Sequence, residues 1–259
     1  MKVLISNDDG IYAPGLWAAV KALKELAEVV VVAPDREQSG VGPSVTLHRP
    51  VRATEAVPVV PGTRVYAVEG TPADSVILAL ETLVGTVDLV VTGINSGANL
   101  GDDVLLSGTV GAAFQGYYRG ISSVAVSVTA LHPRSFEAAA RLLKGLARSW
   151  VQGLGPRPML LNINLPDVLP EEVQGVDVTR LGGRSYTERV RQGDDGKRPY
   201  FWIERKRPEG QAEEGTDAWA IHHRRVSITP LSSDVTARPV LGEVIALGPP
   251  LLEAIQFDA

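Results

Sequence analysis

Asn7-Asp8-Asp9-Gly10 places two carboxylates side by side, directly after the apolar run Lys2-Val3-Leu4-Ile5-Ser6. That run reads as a buried first strand, so the acid pair falls at the carboxyl edge of a sheet, where open α/β folds bind ligands. Adjacent carboxylates repel one another, and a hard divalent cation such as Mg²⁺ or Mn²⁺, which takes oxygen ligands, relieves the repulsion. The competing reading is a solvated Asp pair in a turn, since Asp-Gly favours turns.

A cation of this kind needs further oxygens, and they must come from other strand ends of the same sheet. Asp35 and Ser39 follow the second strand and Asn95 ends the fourth. Ser, Asn and Asp all supply oxygens of suitable hardness, although Ser39 beside Gly40, and Asn95, also suit ordinary turns. The loop Gly93-Ile94-Asn95-Ser96-Gly97-Ala98-Asn99-Leu100-Gly101-Asp102-Asp103 follows a strand and leads to a helix. It carries neither a Gly-Lys-Ser/Thr phosphate loop nor Gly-x-Gly-x-x-Gly, so ATP and nicotinamide lack their usual signatures. A loop this long is functional or disordered more often than structural. Ser107-Gly108-Thr109 then opens a helix. Free N–H groups and the helix dipole make such an end an anion site, and a plain serine cap is the alternative. The four histidines, His48, His132, His222 and His223, lie away from these strand ends, and no Gly-x-Ser-x-Gly elbow is present. A Ser-His-Asp hydrolase is therefore disfavoured.

These residues need a scaffold of alternating strands and helices. Strands are expected at 2–6, 29–33, 64–68, 88–94, 124–128 and 159–165. Helices are expected at 15–27, from Thr71 through Leu83, at 107–118 and from 135 to about 151. Thr71 reads as N-cap, with Pro72 at the first helical position and Asp74 in the first turn. Regular βα alternation predicts an α/β fold, a mostly parallel Rossmann-like sheet with helices on both faces. After Pro166 the pattern changes. Residues 184–207 are rich in charge and aromatics around Gly193-Asp194-Asp195-Gly196 and read as two long strands joined by a turn. A hairpin of this kind has too little core to stand alone, so it is expected to project and pack on another subunit or to cap a site. A strand at 226–230 and an apolar, partly helical tail at 241–255 follow. The division expected is a catalytic core over 1–170 and a C-terminal part over 171–259 that holds the hairpin, strand and tail.

The 259 residues are 44% apolar and 21% charged, which suits a globular chain with a substantial core. The net charge of −5 argues against binding to long nucleic acid. The absence of cysteine removes disulfides, thiolate metal sites and cysteine nucleophiles. The chain opens directly into a strand, without a basic n-region or cleavage site. No apolar stretch nears the ~20 residues that a membrane span requires. A soluble, cytoplasmic protein with no membrane partner is expected.

Five ordered segments resemble the SurE family, the stationary-phase survival proteins. They are 7–15 (NDDGIYAPG), 33–40 (APDREQSG), 70–74 (GTPAD), 96–103 (SGANLGDD) and 107–110 (SGTV), and the C-terminal third adds Glu214-Gly215-Thr216-Asp217. The resemblance implies a metal-dependent nucleotidase acting on nucleoside 5′- and 3′-monophosphates. It implies one divalent ion per subunit, Mg²⁺ or Mn²⁺, held by Asp8, Asp9, Ser39 and Asn95. It also implies a homodimer or homotetramer built with the projecting hairpin and C-terminal tail. Two departures stand out: many members have a polar residue, often His, where this chain has Pro43, and many have Cys where Ser75 stands.

The expected chemistry is phosphomonoester hydrolysis, with Asp8, Asp9 and Asn95 as catalytic residues. Asn95 and the amides at Ser107, Gly108 and Thr109 are expected to meet the phosphate. Asp8 or Asp9 is also a candidate base or nucleophile. The alternatives are a broad phosphatase or exopolyphosphatase on the same metal site, and a non-catalytic nucleotide-binding regulatory protein.

Overall fold

A computed structural model describes residues 1–153, 158–183, 187–206 and 212–257. Its elements follow the chain as β1 Lys2–Ser6, α1 Pro14–Lys24, β2 Glu28–Pro34, β3 Ala53–Glu55, β4 Arg64–Val68, α2 Pro72–Leu78 and β5 Leu89–Ser96. Next come α3 Gly108–Tyr117, β6 Ser123–Val128, α4 Glu137–Val151, β7 Leu160–Leu165 and β8 Val176–Val178. The C-terminal part holds β9 Thr187–Asp194, β10 Pro199–Lys206, α5 Asp217–His222, β11 Val226–Leu231, α6 Leu241–Ile245 and α7 Gly248–Phe257.

Nine strands form one sheet in the order β3-β4-β2-β1-β5-β6-β7-β11-β8. Six neighbouring pairs are parallel, while β3 runs antiparallel to β4 and β11 antiparallel to β7. The strand β1 is central and apolar on both faces, with Val3, Leu4 and Ile5 fully buried. Val3 and Ile5 join the core under α1 and α4, with Leu16, Val20, Leu143 and Ala147. Leu4 points the other way and packs with Val76 and Ala79 of the α2 segment and with Ala112 of α3. This alternation is the period-2 geometry of a strand, and burial on both sides is why the central strands read as continuous apolar runs.

The chain leaves β1 toward β2 on one side and later returns to β5 on the other. The carboxyl ends of β1, β2 and β5 thus meet where the strand order reverses, the place at which such sheets form a crevice. Thr71 caps α2 by accepting from Asp74 N–H, and the Asp74 carboxylate accepts in return from Thr71 N–H. The helix then ends at Leu78 and continues as a wider turn over Ala79–Leu83.

Beyond residue 170 the chain comes back to the same sheet, since β11 pairs with β7 and β8 with β11. The expected hairpin is present as the antiparallel pair β9–β10, with Asp194 opposite Pro199. Its outermost expected residues, 184–186 and 207, lie outside the described residues. Among the described residues no helix is long and apolar enough to cross a membrane.

The β5–β6 register shifts between Thr92 and Asn95, and Gly93 sits there with φ at +115°. A Cβ on Gly93 would lie 2.2 Å from the Val126 carbonyl oxygen. A bulge of this kind re-aims the side chains beyond it. Gly93→Ala combines a disfavoured backbone conformation with a clash, so it is expected to destabilise the fold by about 2 kcal/mol or more. A lowered urea midpoint checks this, and an unchanged midpoint contradicts it.

Candidate active site

The turn after β1 is fixed from three sides. Asn7 Nδ2 donates to the Gly10 carbonyl (2.9 Å), Ile11 N–H to the Pro34 carbonyl at the end of β2 (2.8 Å), and Trp17 Nε1 to the Ile11 carbonyl (2.8 Å). Gly10 takes φ +98°, and a Cβ there would press on the Arg36–Glu37 backbone at 3.1 and 3.3 Å. This close approach lets Gln38 N–H donate to the Asp8 carbonyl at 2.7 Å. The 36–39 loop is therefore laid against the acid pair.

Asp8 is buried, and Thr109 at the start of α3 occupies both of its oxygens. The Thr109 hydroxyl donates to Oδ1 (2.5 Å) and its N–H to Oδ2 (3.1 Å). Gly108 makes the approach possible, because a Cβ there would lie 2.9 Å from Asp8 Cβ. Thr109 is itself anchored, its carbonyl accepting from the Thr92 hydroxyl at 2.8 Å. Asp9 Oδ2 accepts from Ser96 N–H at 3.1 Å, which ties the second carboxylate to the end of β5. Asn95 is buried, and its side-chain amide donates to the Gly97 carbonyl at 2.9 Å.

The structure thus brings Asp8, Asp9, Asn95, Ser107, Gly108 and Thr109 to one end of the sheet. Ser39 follows the loop held on Asp8, is exposed, and donates to Glu37 at 2.9 Å. Asp35 is exposed and pairs with Arg36 at 3.9 Å. Ser107 caps α3 by accepting from Val110 N–H at 3.1 Å. Pro43 stacks over the first turn of α3, where a Cβ on Gly111 would meet its Cα at 2.7 Å. Ser75 is buried and donates to the Thr71 carbonyl, a packing role.

Electrostatics set this site apart. Burial raises the Asp8 carboxyl above its ordinary range, against the opposing effect of the Thr109 hydrogen bonds. Burial, and next the neighbouring Asp8, push Asp9 from 3.8 to about 7. Glu37 raises both further. Among the described residues neither Asp8 nor Asp9 has an ion-pair partner. Two desolvated carboxylates without a counter-ion are unfavourable unless a cation joins them. Among the described residues no three His, Cys, Asp or Glu side chains converge. The donor set is accordingly two carboxylates plus neutral oxygens, a set that suits Mg²⁺ or Mn²⁺ and not a thiolate or imidazole metal.

Likeness to known proteins fixes the family. The family model described as "Survival protein SurE" matches residues 3–188. The chain belongs to the SurE family. A relative named 5′-nucleotidase SurE from Dehalococcoides mccartyi (strain CBDB1) is 48% identical over 243 residues, covering 93% of this chain and 92% of the relative. Another of that name from Vibrio parahaemolyticus is 44% identical over 244 residues, covering 93% and 92%. The crystal structure of the SurE protein from Aquifex aeolicus superposes with a TM-score of 0.81 at 39% identity, covering 95% of this chain and 99% of that one. The SurE fold expected from the sequence is the fold observed.

Sequence reasoning placed Thr109 among the phosphate contacts and did not foresee its grip on Asp8, 101 residues away in the chain. It also missed Ser96 N–H on Asp9 and the nearby Glu37 carboxylate. Only knowledge that β1 and β5 are neighbours and that α3 follows β5 would have revealed these contacts.

Thr109→Val keeps the N–H bond to Asp8 and removes the hydroxyl bond, so phosphate release is expected to fall about tenfold in a folded protein. Wild-type turnover would contradict that role. The raised Asp9 pKa means that the folded state holds a proton which the unfolded state releases. Asp9 therefore makes the stability of metal-free protein decline as pH rises from about 4 to about 7, and the raised Asp8 adds to the decline in the same direction. Asp9→Asn is expected to flatten that slope in chelator-treated thermal melts, and parallel curves for variant and wild type would contradict it.

Proposed function

We propose that this chain is a 5′-nucleotidase, hydrolysing nucleoside 5′-monophosphates, and 3′-monophosphates as well, to nucleoside and inorganic phosphate. The observation that carries this reading is the uncompensated pair Asp8 and Asp9 beside the start of α3. The names of the relatives, 5′-nucleotidase, point to the same class of substrate. Asp8, Asp9, Ser39 and Asn95 would hold one Mg²⁺ or Mn²⁺ per subunit. When bound, that ion supplies positive charge for the phosphoryl oxygens and lowers the pKa of water.

The chain's own groups do the rest. The Asn95 side-chain amide and the N–H groups at Ser107 and Gly108 meet charge on the phosphoryl oxygens. Thr109 contributes to the same helix start while it fixes Asp8. Because Thr109 engages both oxygens of Asp8 and Ser96 engages one oxygen of Asp9, Asp9 is the better placed proton acceptor for the attacking water. Attack on phosphorus forms the new P–O bond and breaks the ester P–O bond, and the departing nucleoside oxygen takes up the proton that Asp9 removed from the water, which returns Asp9 to its starting state.

The same reading includes a cytoplasmic location, in keeping with the absence of cysteine, and assembly as a homodimer or homotetramer. Exposed apolar side chains on the hairpin (Phe201, Trp202, Ile203) and on α6 and α7 (Ile245, Leu252, Ile255) support association through these elements.

The test is phosphate release from 5′- and 3′-nucleoside monophosphates, sugar phosphates and short polyphosphate, with Mn²⁺ or Mg²⁺ and with excess chelator. Metal-dependent release from nucleotides is expected, and Asp8→Asn should lower it at least ~10–100-fold. Preference for polyphosphate would replace the substrate assignment. Nucleotide binding without release would make the chain a regulatory binder.

A further inference from the structure

Asp217 is fully buried, yet it lies in the C-terminal part of the chain, away from the acid pair in sequence. Its carboxylate is met by main-chain amides. Gly101 N–H donates to Oδ2 at 2.8 Å, while Gly182 N–H and Ala218 N–H donate to Oδ1, both at 2.8 Å. Such charge-assisted bonds are stronger than neutral ones. Only a carboxylate accepts at both ends, because an amide in its place would turn an N–H₂ group toward one of the donors.

Gly101 belongs to the loop that runs from Asn95 to Ser107, the two edges of the proposed phosphate site. Two residues before it, Asn99 is fastened to the ends of β6 and β7. Asn99 N–H donates to Asn164 Oδ1 (2.9 Å) and its side chain to Ser127 Oγ (2.8 Å). The Asn99 carbonyl accepts from Asn162 (2.8 Å) and Asn164 (3.0 Å). The segment 99–101 is thus fixed to the sheet on one side and to Asp217 on the other. The remaining partner, Gly182, lies just before the hairpin. Where the chain returns from the hairpin, Arg180 N–H donates to the Gly215 carbonyl (3.1 Å) and Asp217 N–H to the Arg180 carbonyl (3.0 Å). Asp217 therefore joins both roots of the hairpin to the loop that spans the site.

We propose that Asp217 is a positioning residue for phosphoryl transfer. By holding Gly101 it sets the Asn95-to-Ser107 spacing, and by holding Gly182 it couples that spacing to the base of the hairpin. The proposal rests on the nucleotidase reading of the site. A carboxylate that merely stabilised the fold would affect melting and leave the kinetics of the folded enzyme unchanged. Misplacing the loop instead weakens contacts made in the transition state, which lowers kcat more than it alters KM.

The experiment compares full-length wild type, Asp217→Asn and Gly182→Ala. The second variant acts from the hairpin side, since a Cβ on Gly182 would lie 3.0 Å from Asp217 Oδ1. Each is measured for kcat and KM below its melting temperature and for amide hydrogen exchange over residues 97–105. Asp217→Asn is expected to lower kcat about tenfold or more, with KM within about threefold, and to speed exchange in that segment. Gly182→Ala is expected to move both in the same direction by less. If Asp217→Asn does not fold, Gly182→Ala alone decides. Folded variants with wild-type kcat overturn the proposal, whatever their melting temperatures. If the wild type releases no phosphate, the nucleotidase reading fails. The exchange data then still judge the loop, and wild-type exchange over 97–105 in the variants would refute the positioning by Asp217.

Discussion

Two adjacent carboxylates, Asp8 buried and Asp9 partly buried, with no cation among the described residues to balance them, are the constraint around which this molecule is arranged. Buried like charges cost several kcal/mol each unless compensated. The fold nevertheless places Asp8 and Asp9 at the end of its buried central strand and adds Glu37 nearby. The hydrogen bonds from Thr109 and Ser96 offset part of that cost, but both acid groups remain shifted upward. The divalent cation proposed for this site would balance the rest, which ties the site's energetics to its proposed chemistry.

The surrounding architecture serves close approach. Gly10 lets the 36–39 loop lie against the Asp turn, Gly108 lets α3 begin on top of Asp8, and Gly93 allows the shift in β5 that ends at Asn95. At each of these a side chain would press on backbone or on Asp8 itself. The loop between Asn95 and Ser107 is held by side chains of Asn162, Asn164, Ser127 and Asp217, which come from β6, β7 and α5. The site is thus assembled from nearly the whole length of the chain, and residues beyond 170 contribute to its support as well as to the outer sheet.

The sequence was most legible where one local rule acts alone. The strand at 2–6 followed by the acid pair, the Thr71-Pro72-Asp74 helix start and the Ser107 cap all stand where their residue types put them. The short strands β3 and β8 and the short helix α5 escaped notice, because elements of three to six residues carry almost no periodicity. The strand β5 runs two residues past its expected end at Ile94, because the β5–β6 ladder resumes after the register shift. The loop after Asn95 carried glycine and polar residues that suit either disorder or function. Its order depends on asparagines and an aspartate more than sixty residues away, which no local pattern announces. The strand ends offered Asp8, Asp9, Asp35, Ser39 and Asn95 as candidate ligands, the family resemblance narrowed them to Asp8, Asp9, Ser39 and Asn95, and only the pairing of β1 with both β2 and β5 shows that the three strand ends are neighbours.

The most direct measurement is a calorimetric titration of chelator-treated protein with Mn²⁺, for the wild type and for Asp8→Asn. The account predicts one ion per chain for the wild type, released protons at pH below 7 as the carboxylates lose theirs, and strongly weakened binding in the variant. No binding by folded wild-type protein, or equal affinity in the Asp8→Asn variant, would contradict the claim that this acid pair exists to hold a cation.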